Sequence, residues 1–291
     1  MIKLSDYLKS EYGEKIYKLS LSSGCTCPNR DGFLSFGGCT FCSEGGSGDF
    51  AAQLAPISEQ IEDAKSRVAS KTDASKFIAY FQSFTNTYGD ISKLRQLYEE
   101  TILRDDIAIL SLGTRPDCLG DDVMDMLFYF NSIKPVWVEL GLQTIHDKTA
   151  NRLNRAYPLS TFDEAYRKLK EARLTVIVHI ILGLPGETSD DMLGTVRYLA
   201  ELNPPLDGIK IQMLHVLKGT VLGEEYIKSP FPILSMEEYS ALVADAIKIL
   251  PDNIIVHRMT GDGPGKLLIE PDWSRNKRKV LNLINKLISQ A

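Results

Sequence analysis

The chain has 291 residues, a length within the range of a single α/β barrel. Its 44% hydrophobic and 24% charged residues are ordinary for a globular protein, and they exclude a disordered tail, a collagen and a coiled coil. The 33 Lys and Arg residues against 38 Asp and Glu residues give a net charge of -5. This acidic balance weakens any interpretation as a general nucleic-acid-binding protein, because no basic excess is present to neutralise phosphates.

The sequence shows neither a membrane span nor an export signal. Its longest apolar stretches are strand-sized, such as residues 176–182, whereas a bilayer span needs about 20 apolar residues. Residues 1–6 lack the apolar core of a signal peptide. We therefore predict a cytoplasmic protein with no membrane association, in a compartment where thiols stay reduced.

Strand-like apolar runs alternate with amphipathic helical runs along most of the chain. Two helical segments, which begin near Thr161 and Ser235, have the form of a capping box. Six βα units in series predict a parallel sheet covered by helices, either an open doubly wound sheet or a barrel. The predicted strands are 15–22, 76–84, 107–114, 136–143, 175–184 and 208–217.

The βα rhythm changes after Pro251. A short strand candidate at 254–259 is followed by a glycine-rich stretch at 261–265 and a final helix at about 273–289. We interpret this part as an extension packed on the core. The predicted organisation is a core at 15–250 and a C-terminal strand and helix extension at 251–291.

Four of the five cysteines lie within eighteen residues, directly after the first predicted strand: Cys25, Cys27, Cys39 and Cys42. In a reducing compartment such clustering indicates a metal site rather than disulfides. Three thiolates on a four-iron cluster leave one iron open to a ligand, whereas a structural zinc site has four closed ligands.

Cys25 decides between these two kinds of site. Its C-x-C spacing with Cys27 directs the two side chains to opposite sides if the segment is extended. We therefore favour a three-cysteine cluster on Cys27, Cys39 and Cys42. A non-enzymatic zinc loop with all four cysteines, an electron-transfer site with four ligands and unrelated free thiols remain as alternatives.

The segment Cys39-Thr40-Phe41-Cys42 has the C-x-Φ-C form, with an aromatic residue before the last cysteine. In this respect the chain resembles radical S-adenosylmethionine (radical SAM) enzymes. Further segments are similar to the YhcC-type subfamily, which is related to the Elongator catalytic subunit. These segments are 27–32, 80–88, 113–118, 138–144, 182–187 and 257–263.

The resemblance implies an α/β fold, a partial (βα)6 radical SAM barrel with a short C-terminal extension. It implies a [4Fe-4S] cluster on Cys27, Cys39 and Cys42, with SAM as the second cofactor. Reductive cleavage of SAM would give a 5′-deoxyadenosyl radical that abstracts hydrogen from an unidentified substrate. The implied partners are an electron donor such as flavodoxin or ferredoxin, and RNA modification makes tRNA a candidate substrate.

The resemblance also implies a set of SAM contacts. Gln82 and Thr85 correspond to contacts of the methionine amino group, Gln143 to a ribose contact and Arg155 to a partner of the methionine carboxylate. The full implied set is Phe41, Gln82, Thr85, Glu139, Gln143, Arg155, Gly183 and Glu187.

Each of these positions has a structural alternative. Gln82 and Thr85 also suit a strand-end turn, and Arg155 suits a surface salt bridge. A basic neighbour is an equally good partner for Glu139, because a carboxylate on an apolar strand must be paired. Gly183 and Glu187 also fit a plain Pro-Gly turn.

Some residues are left without an assigned role. The segment 154–157 reads Asn-Arg-Ala-Tyr where the subfamily pattern has Asn-Arg-Gly-His, so no role is assigned to Tyr157. Cys118, His215 and His257 end strand-like runs and suit either substrate contacts or the core, while His179 is interpreted as structural. A basic group near the last helix, favoured as a solvated helix face, comprises Arg275, Lys277, Arg278 and Lys279.

Overall fold

A computed structural model describes residues 1–46, 48–49 and 51–290. The strands are β1 (Ile2–Lys3), β2 (Tyr17–Leu21), β3 (Phe77–Phe81), β4 (Ile107–Thr114), β5 (Val136–Gln143), β6 (Thr175–Leu182), β7 (Gly208–Met213), β8 (Val216–Leu217), β9 (Ile255–Arg258) and β10 (Leu268–Glu270). The helices are α1 (Leu4–Tyr12), α2 (Ile57–Val68), α3 (Ile91–Ile102), α4 (Asp121–Asn131), α5 (Asp147–Arg152), α6 (Leu159–Glu171), α7 (Ser189–Ala200), α8 (Val221–Lys228), α9 (Met236–Ile249) and α10 (Lys277–Ser289).

Eight parallel strands form one curled sheet in the order β1-β9-β7-β6-β5-β4-β3-β2, with helices packed on its outer face. This arrangement confirms the predicted α/β partial barrel. The six predicted strands correspond to β2 to β7, although the last of them stops at Met213 and resumes as β8. β8 pairs with β10 in a small antiparallel sheet.

The sheet is wider than the six predicted strands. β9, from the predicted C-terminal extension, pairs in parallel with β7, and the N-terminal β1 pairs with β9. Part of the extension therefore belongs to the barrel sheet. The division into 15–250 and 251–291 stays a prediction.

The inside of the barrel is layered because successive side chains of a strand point to opposite faces. The layer nearest the amino ends of the strands is apolar and consists of Ile78, Ile109, Trp137 and Ile177, closed from below by Leu8 of α1. The next inward residue on each strand lies two positions further on and is polar. This change of polarity places a cavity above the apolar layer, at the carboxyl ends of the strands, where sites of this fold class lie.

The two predicted capping boxes have different outcomes. Ser235 caps α9, and both hydrogen bonds of its box with Glu238 are present, so that prediction is confirmed. The prediction at Thr161 is wrong, because α6 begins two residues earlier at Leu159, with Pro158 as its N-cap. The Asp147 carboxylate accepts the Leu159 N–H at 3.0 Å and so caps the helix from another segment.

No helix within residues 1–46, 48–49 and 51–290 has both the length and the apolar character needed to cross a membrane.

Candidate active site

A cavity of about 250 Å³ lies inside the barrel at the carboxyl ends of the strands. Most of the predicted site residues line it together, although they come from four separate parts of the chain. They are Cys27, Cys39, Phe41, Cys42, Gln82, Thr85, Glu139, Gln143 and Arg155. Two further predicted residues, Gly183 and Glu187, are not among the residues that line it.

One end of the cavity is formed by the loop that carries Cys27, Cys39 and Cys42. Asn29 and Asn154 fix this loop to the barrel. The Asn29 side-chain amide donates to the Asn154 carbonyl at 2.5 Å, and the Asn154 amide donates to the Gly38 carbonyl at 2.9 Å. The thiols are therefore held by hydrogen bonds that the barrel supplies from outside the loop.

The electrostatic surroundings of this end favour a thiolate at Cys39, whereas the hydrogen bond with Cys39 and burial raise the pKa of Cys42 well above its usual range. Although burial opposes it, a hydrogen bond from the Cys42 thiol lowers the pKa of Cys39 to about 7, with help from the Arg115 and Arg155 guanidiniums. The Asn29 amide also lies 3.5 Å from the Cys39 sulfur, as a donor to it. Thiolates are the form that binds iron, and N–H groups directed at sulfur tune an iron–sulfur cluster, so the residues present fit such a group.

The spacing of possible ligands is a further test of the site. Across the part of the chain that the structure describes, no three His, Cys, Asp or Glu side chains are close enough together to hold a single metal ion. This finding concerns a site for one ion, whereas an iron–sulfur cluster binds each thiolate at a different iron.

Cys25 is separated from the other three cysteines. It lines a second, outer pocket together with Cys118, Phe33 and Tyr88, and not the barrel cavity. Burial raises the pKa of the Cys25 thiol, which disfavours the thiolate. A closed zinc site in the loop would require Cys25 as its fourth ligand, and this thiol lines a different pocket from the other three.

The opposite end of the cavity is a buried charge cluster around Glu139, which we call the Glu139 floor: Lys18, Ser111, Glu139, His179 and Lys210. Glu139 accepts hydrogen bonds from Lys18 at 2.9 Å, Ser111 at 2.8 Å and His179 at 2.7 Å. Lys210 forms a fourth, short contact with the same carboxylate. The basic-neighbour alternative for Glu139 is therefore what the structure shows.

The charge state of the floor follows from these partners. Burial alone would raise the pKa of Glu139, but the two lysines and His179 hold it well below its usual range. Burial lowers the pKa of His179 to about 4, so this histidine is neutral near pH 7. Burial also holds the pKa of Lys210 well below its usual range, which weakens the positive charge that this lysine brings to the floor.

Sequence reasoning missed most of this floor, and it treated His179 as structural although His179 lines the cavity. A signal was nevertheless present. Each floor residue interrupts an apolar strand, and the parallel register sets His179 directly beside Lys210. Four such interruptions on neighbouring strands would have marked one polar layer.

Arg155 has a different environment from the one predicted. Its side chain is 1% exposed, and its N–H groups donate to the carbonyls of Leu142, Thr144 and Tyr157 at 2.6–3.1 Å. The last N–H points to Asp147 at 3.4 Å. All five donors are used within the protein, and the contact with Asp147 is a salt bridge from a buried guanidinium to a carboxylate that is 53% exposed. The contact of Arg155 with SAM stays a prediction.

Tyr157 lies between two arginines at the cavity wall. Its ring is 4.5 Å from the Arg155 guanidinium carbon and 4.9 Å from that of Arg115. Its hydroxyl donates to the Gly141 carbonyl in a short hydrogen bond. Tyr157 therefore acts as a spacer that holds both arginines in place.

Backbone strain is concentrated around this cavity. Phe84, Gln143 and Ala156 have positive φ angles of 56°, 64° and 65°, which residues other than glycine rarely adopt. Gln143 follows a register shift at the end of β5. Gln82, at the end of β3, is held by a hydrogen bond that it accepts from Ser20 at 3.4 Å. Strain of this kind is typical of functional sites.

The remaining predicted residues lie beside the cavity. The Gly183 N–H donates to the Met192 sulfur at 3.0 Å, and Glu187 accepts from Thr144 at 2.6 Å. His215 lines the cavity, and its buried Nε2 has no partner within the described chain. His257 instead packs against Trp137, with ring centres 5.2 Å apart, outside the cavity.

Comparison with known families decides which family this fold belongs to. Residues 23–199 match the model of the radical SAM superfamily, and residues 206–290 match that of the radical SAM C-terminal domain. The chain belongs to the radical SAM superfamily. It is therefore an enzyme of this superfamily, for which SAM and a [4Fe-4S] cluster are the implied cofactors.

Individual relatives place this radical SAM chain more closely. It is 46% identical to the uncharacterised protein YtqA of Bacillus subtilis over 97% of this chain and 88% of that protein. It is 35% identical to YhcC of Escherichia coli over 93% and 86% of the two chains. These matches confirm the predicted YhcC-type relationship.

The predicted relation to Elongator is confirmed as well. A tRNA uridine(34) acetyltransferase of Dehalococcoides mccartyi is 30% identical over 53% of this chain and 33% of that protein. The structure of an Elp3 protein from Methanocaldococcus infernus has a TM-score of 0.69 at 17% identity. The match covers 93% of this radical SAM chain and 63% of the Elp3 chain. At this level of identity the likeness concerns the fold alone.

Proposed function

We propose that Cys27, Cys39 and Cys42 hold a [4Fe-4S] cluster with one open iron, and that SAM binds to it inside the barrel. Together the two cofactors supply a 5′-deoxyadenosyl radical, which abstracts hydrogen from a substrate. The observation that carries this proposal is the separation of the cysteines. Three thiols meet at the cavity, while Cys25 faces another pocket.

The protein's own groups have distinct parts in this proposal. Phe41 shields the thiol end, because it packs against the apolar cluster around Leu153 and Leu184 and lines the cavity. Gln82, Thr85 and Gln143 offer polar groups to the SAM amino group and ribose.

The charged residues set the wall and the floor. Arg155 orders the wall through its carbonyl contacts and adds positive charge beside Cys39. Glu139 pairs with both lysines of the floor, so that neither is buried without a partner. Gly183 and Glu187 support the wall from behind.

The proposed partners follow from this chemistry. A one-electron donor such as flavodoxin or ferredoxin is needed to reduce the cluster. The partial match to tRNA uridine(34) acetyltransferases supports RNA modification, with tRNA as the substrate class. A cytoplasmic location stays a prediction, and a reducing compartment suits exposed cluster thiolates.

Anaerobic purification of the full chain tests the proposal. We expect a brown protein with about four irons per chain that forms 5′-deoxyadenosine from SAM when dithionite is added. A colourless protein with one zinc per chain and no 5′-deoxyadenosine would overturn it. The iron assay and the product assay are independent, so loss of cluster during preparation is recognised before activity is judged.

A further inference from the structure

A basic groove opens at the side of the barrel, between the edge strand β2 and the C-terminal segment. It has a volume of about 600 Å³. We call it the seam groove. Its charged lining consists of one acidic residue, Asp262, and six basic residues, which are Lys18, Arg67, Lys71, Arg258, Arg275 and Lys277.

This concentration of positive charge is unusual for a chain with a net charge of -5. Two of the basic residues have carboxylate partners that do not line the groove. Arg67 pairs with Asp63 and Arg275 with Asp272, and these carboxylates are 49% and 80% exposed. Because exposed ion pairs are weak, the Arg67 cation remains available to an anionic ligand, whereas the Arg275 guanidinium also donates to the Gly265 and Leu268 carbonyls.

The other basic residues are fixed along the length of the groove. Lys18 pairs with the buried Glu139, while Asp262 is shared by Lys277 at 2.7 Å and Arg258 at 3.5 Å. Lys18, Arg258 and Lys277 thus share the carboxylates of Glu139 and Asp262. Together with Lys71 they leave the groove with a positive excess. The predicted basic group near the last helix is divided, because Arg278 and Lys279 do not line the groove.

The seam groove is continuous with the barrel cavity. Gln82, Arg258, Asp262 and Gly263 line both spaces. A ligand that lies along the groove therefore reaches the cavity past these residues. The groove thus provides a side entrance to the place where the radical would be formed.

We propose that the seam groove binds the phosphodiester backbone of a single-stranded RNA segment and presents one nucleotide to the cavity. The inference rests on the proposed function and adds to it the binding surface. Basic residues spread along a groove of about 600 Å³, two of them in weak exposed pairs, suit a run of phosphates better than a single one. Tyr17 also lines the groove and offers a ring face to a base, a combination typical of single-strand binding.

The test uses the full chain with its cluster reconstituted and a fluorescein-labelled 12-nucleotide oligouridylate. Binding is followed by fluorescence anisotropy from 50 to 200 mM KCl. The variant Arg67→Glu/Lys71→Glu is expected to weaken binding at least tenfold. It should also flatten the dependence of log K on log salt by about 1.4, because two phosphate contacts at about 0.7 each are lost.

A matched control makes the same charge change elsewhere. Arg167→Glu/Lys168→Glu alters two exposed residues of α6, which line neither the cavity nor the groove. It should bind within twofold of the unchanged protein. Arg67→Gln/Lys71→Gln, a milder variant, keeps the test available if the reversed charges impair folding, and it should lose about half as much affinity on a logarithmic scale.

Any one of three results would overturn the proposal that the groove binds RNA. These results are equal effects of the two charge-reversal pairs, no salt-dependent binding by the unchanged protein, and competition by poly-glutamate as strong as that by unlabelled oligouridylate. The proposed function fails separately. If an iron-free chain still binds oligouridylate through Arg67 and Lys71, the groove proposal is supported and the proposed function is not. If the chain cleaves SAM but does not bind oligouridylate, only the radical chemistry is supported.

Discussion

The two ends of the barrel cavity are built in different ways. The thiol end comes from a single loop and is fixed by a few hydrogen bonds from outside, such as those between Asn29 and Asn154. The Glu139 floor is assembled from β2, β4, β5, β6 and β7, and its carboxylate is fully buried. We therefore expect substitutions at the thiol end to change the free energy of unfolding little and substitutions in the floor to lower it strongly.

Removal of the central carboxylate should show this difference most strongly. Glu139→Ala leaves Lys18 and Lys210 without their shared partner, and we expect a loss of about 3–5 kcal/mol in the free energy of unfolding. Cys39→Ala at the other end, measured without the cluster, should cost about 1 kcal/mol or less because Cys39 already borders open space. Urea unfolding at pH 7 compares the two. Equal losses would contradict the contrast.

The floor should also make stability depend on pH. Burial lowers the pKa of both His179 and His215 to about 4, whereas an unfolded histidine titrates near 6.5. As pH falls from 6.5 towards 4, the unfolded chain binds protons that the folded chain does not, so stability decreases. Each histidine contributes about 1.4 kcal/mol per pH unit in this window.

The variant His179→Gln measures the share of the floor in this effect. Its amide still donates to Glu139 but does not titrate. We expect the slope of the unfolding free energy between pH 6 and pH 5 to fall by about 1.4 kcal/mol per unit, and His215→Gln should give a similar decrease. An unchanged slope in His179→Gln would show that this histidine is not buried as a neutral group.

The wall of the cavity should be intermediate between the two ends. Arg155→Lys loses two of the five N–H donors, four of which serve three buried carbonyls, with an expected cost of about 2 kcal/mol. Arg152→Lys is the matched control on α5, because its partner Glu225 is 43% exposed and the pair contributes under about 1 kcal/mol. Similar losses in both variants would mean that Arg155 is not a structural residue of the wall.

The smallest effect is expected at Ala156, where strain rather than contact is involved. Its φ angle of 65° costs an alanine about 1–2 kcal/mol, part of which Ala156→Gly recovers. We expect a gain of about 0.5–1 kcal/mol in urea unfolding. Ala150→Gly, within α5, should instead destabilise the protein by about 1 kcal/mol. A loss at Ala156 would indicate that its methyl group makes contacts that outweigh the strain.

The contrast between the ends also explains what the sequence can reveal. Cys27, Cys39 and Cys42 are close along the chain, so their spacing alone predicts a shared site. The parallel sheet and its six central strands follow from apolar periodicity and are confirmed. The glycine that the subfamily pattern places at position 156 is explained by the left-handed backbone found there.

Features that depend on distant parts of the chain were not predicted. Pairing of β1 with β9 joins the first residues to the last strand of the sheet, and neither strand is long enough to show periodicity. The Glu139 floor needs the register of five strands, because the polar residue that interrupts each apolar run does not by itself show which positions face inward. The start of α6 was misplaced because the Leu159 N–H is capped by Asp147, a residue from another segment.

The most direct test of the central claim compares Cys25→Ala with Cys27→Ala under anaerobic conditions, with iron content and 5′-deoxyadenosine formation as readouts. The account predicts that Cys25→Ala keeps iron and product near the level of the unchanged protein. It predicts that Cys27→Ala loses iron and forms at least a hundredfold less product. Equal loss of iron and product in both variants would contradict a three-thiolate site and would make Cys25 a fourth ligand.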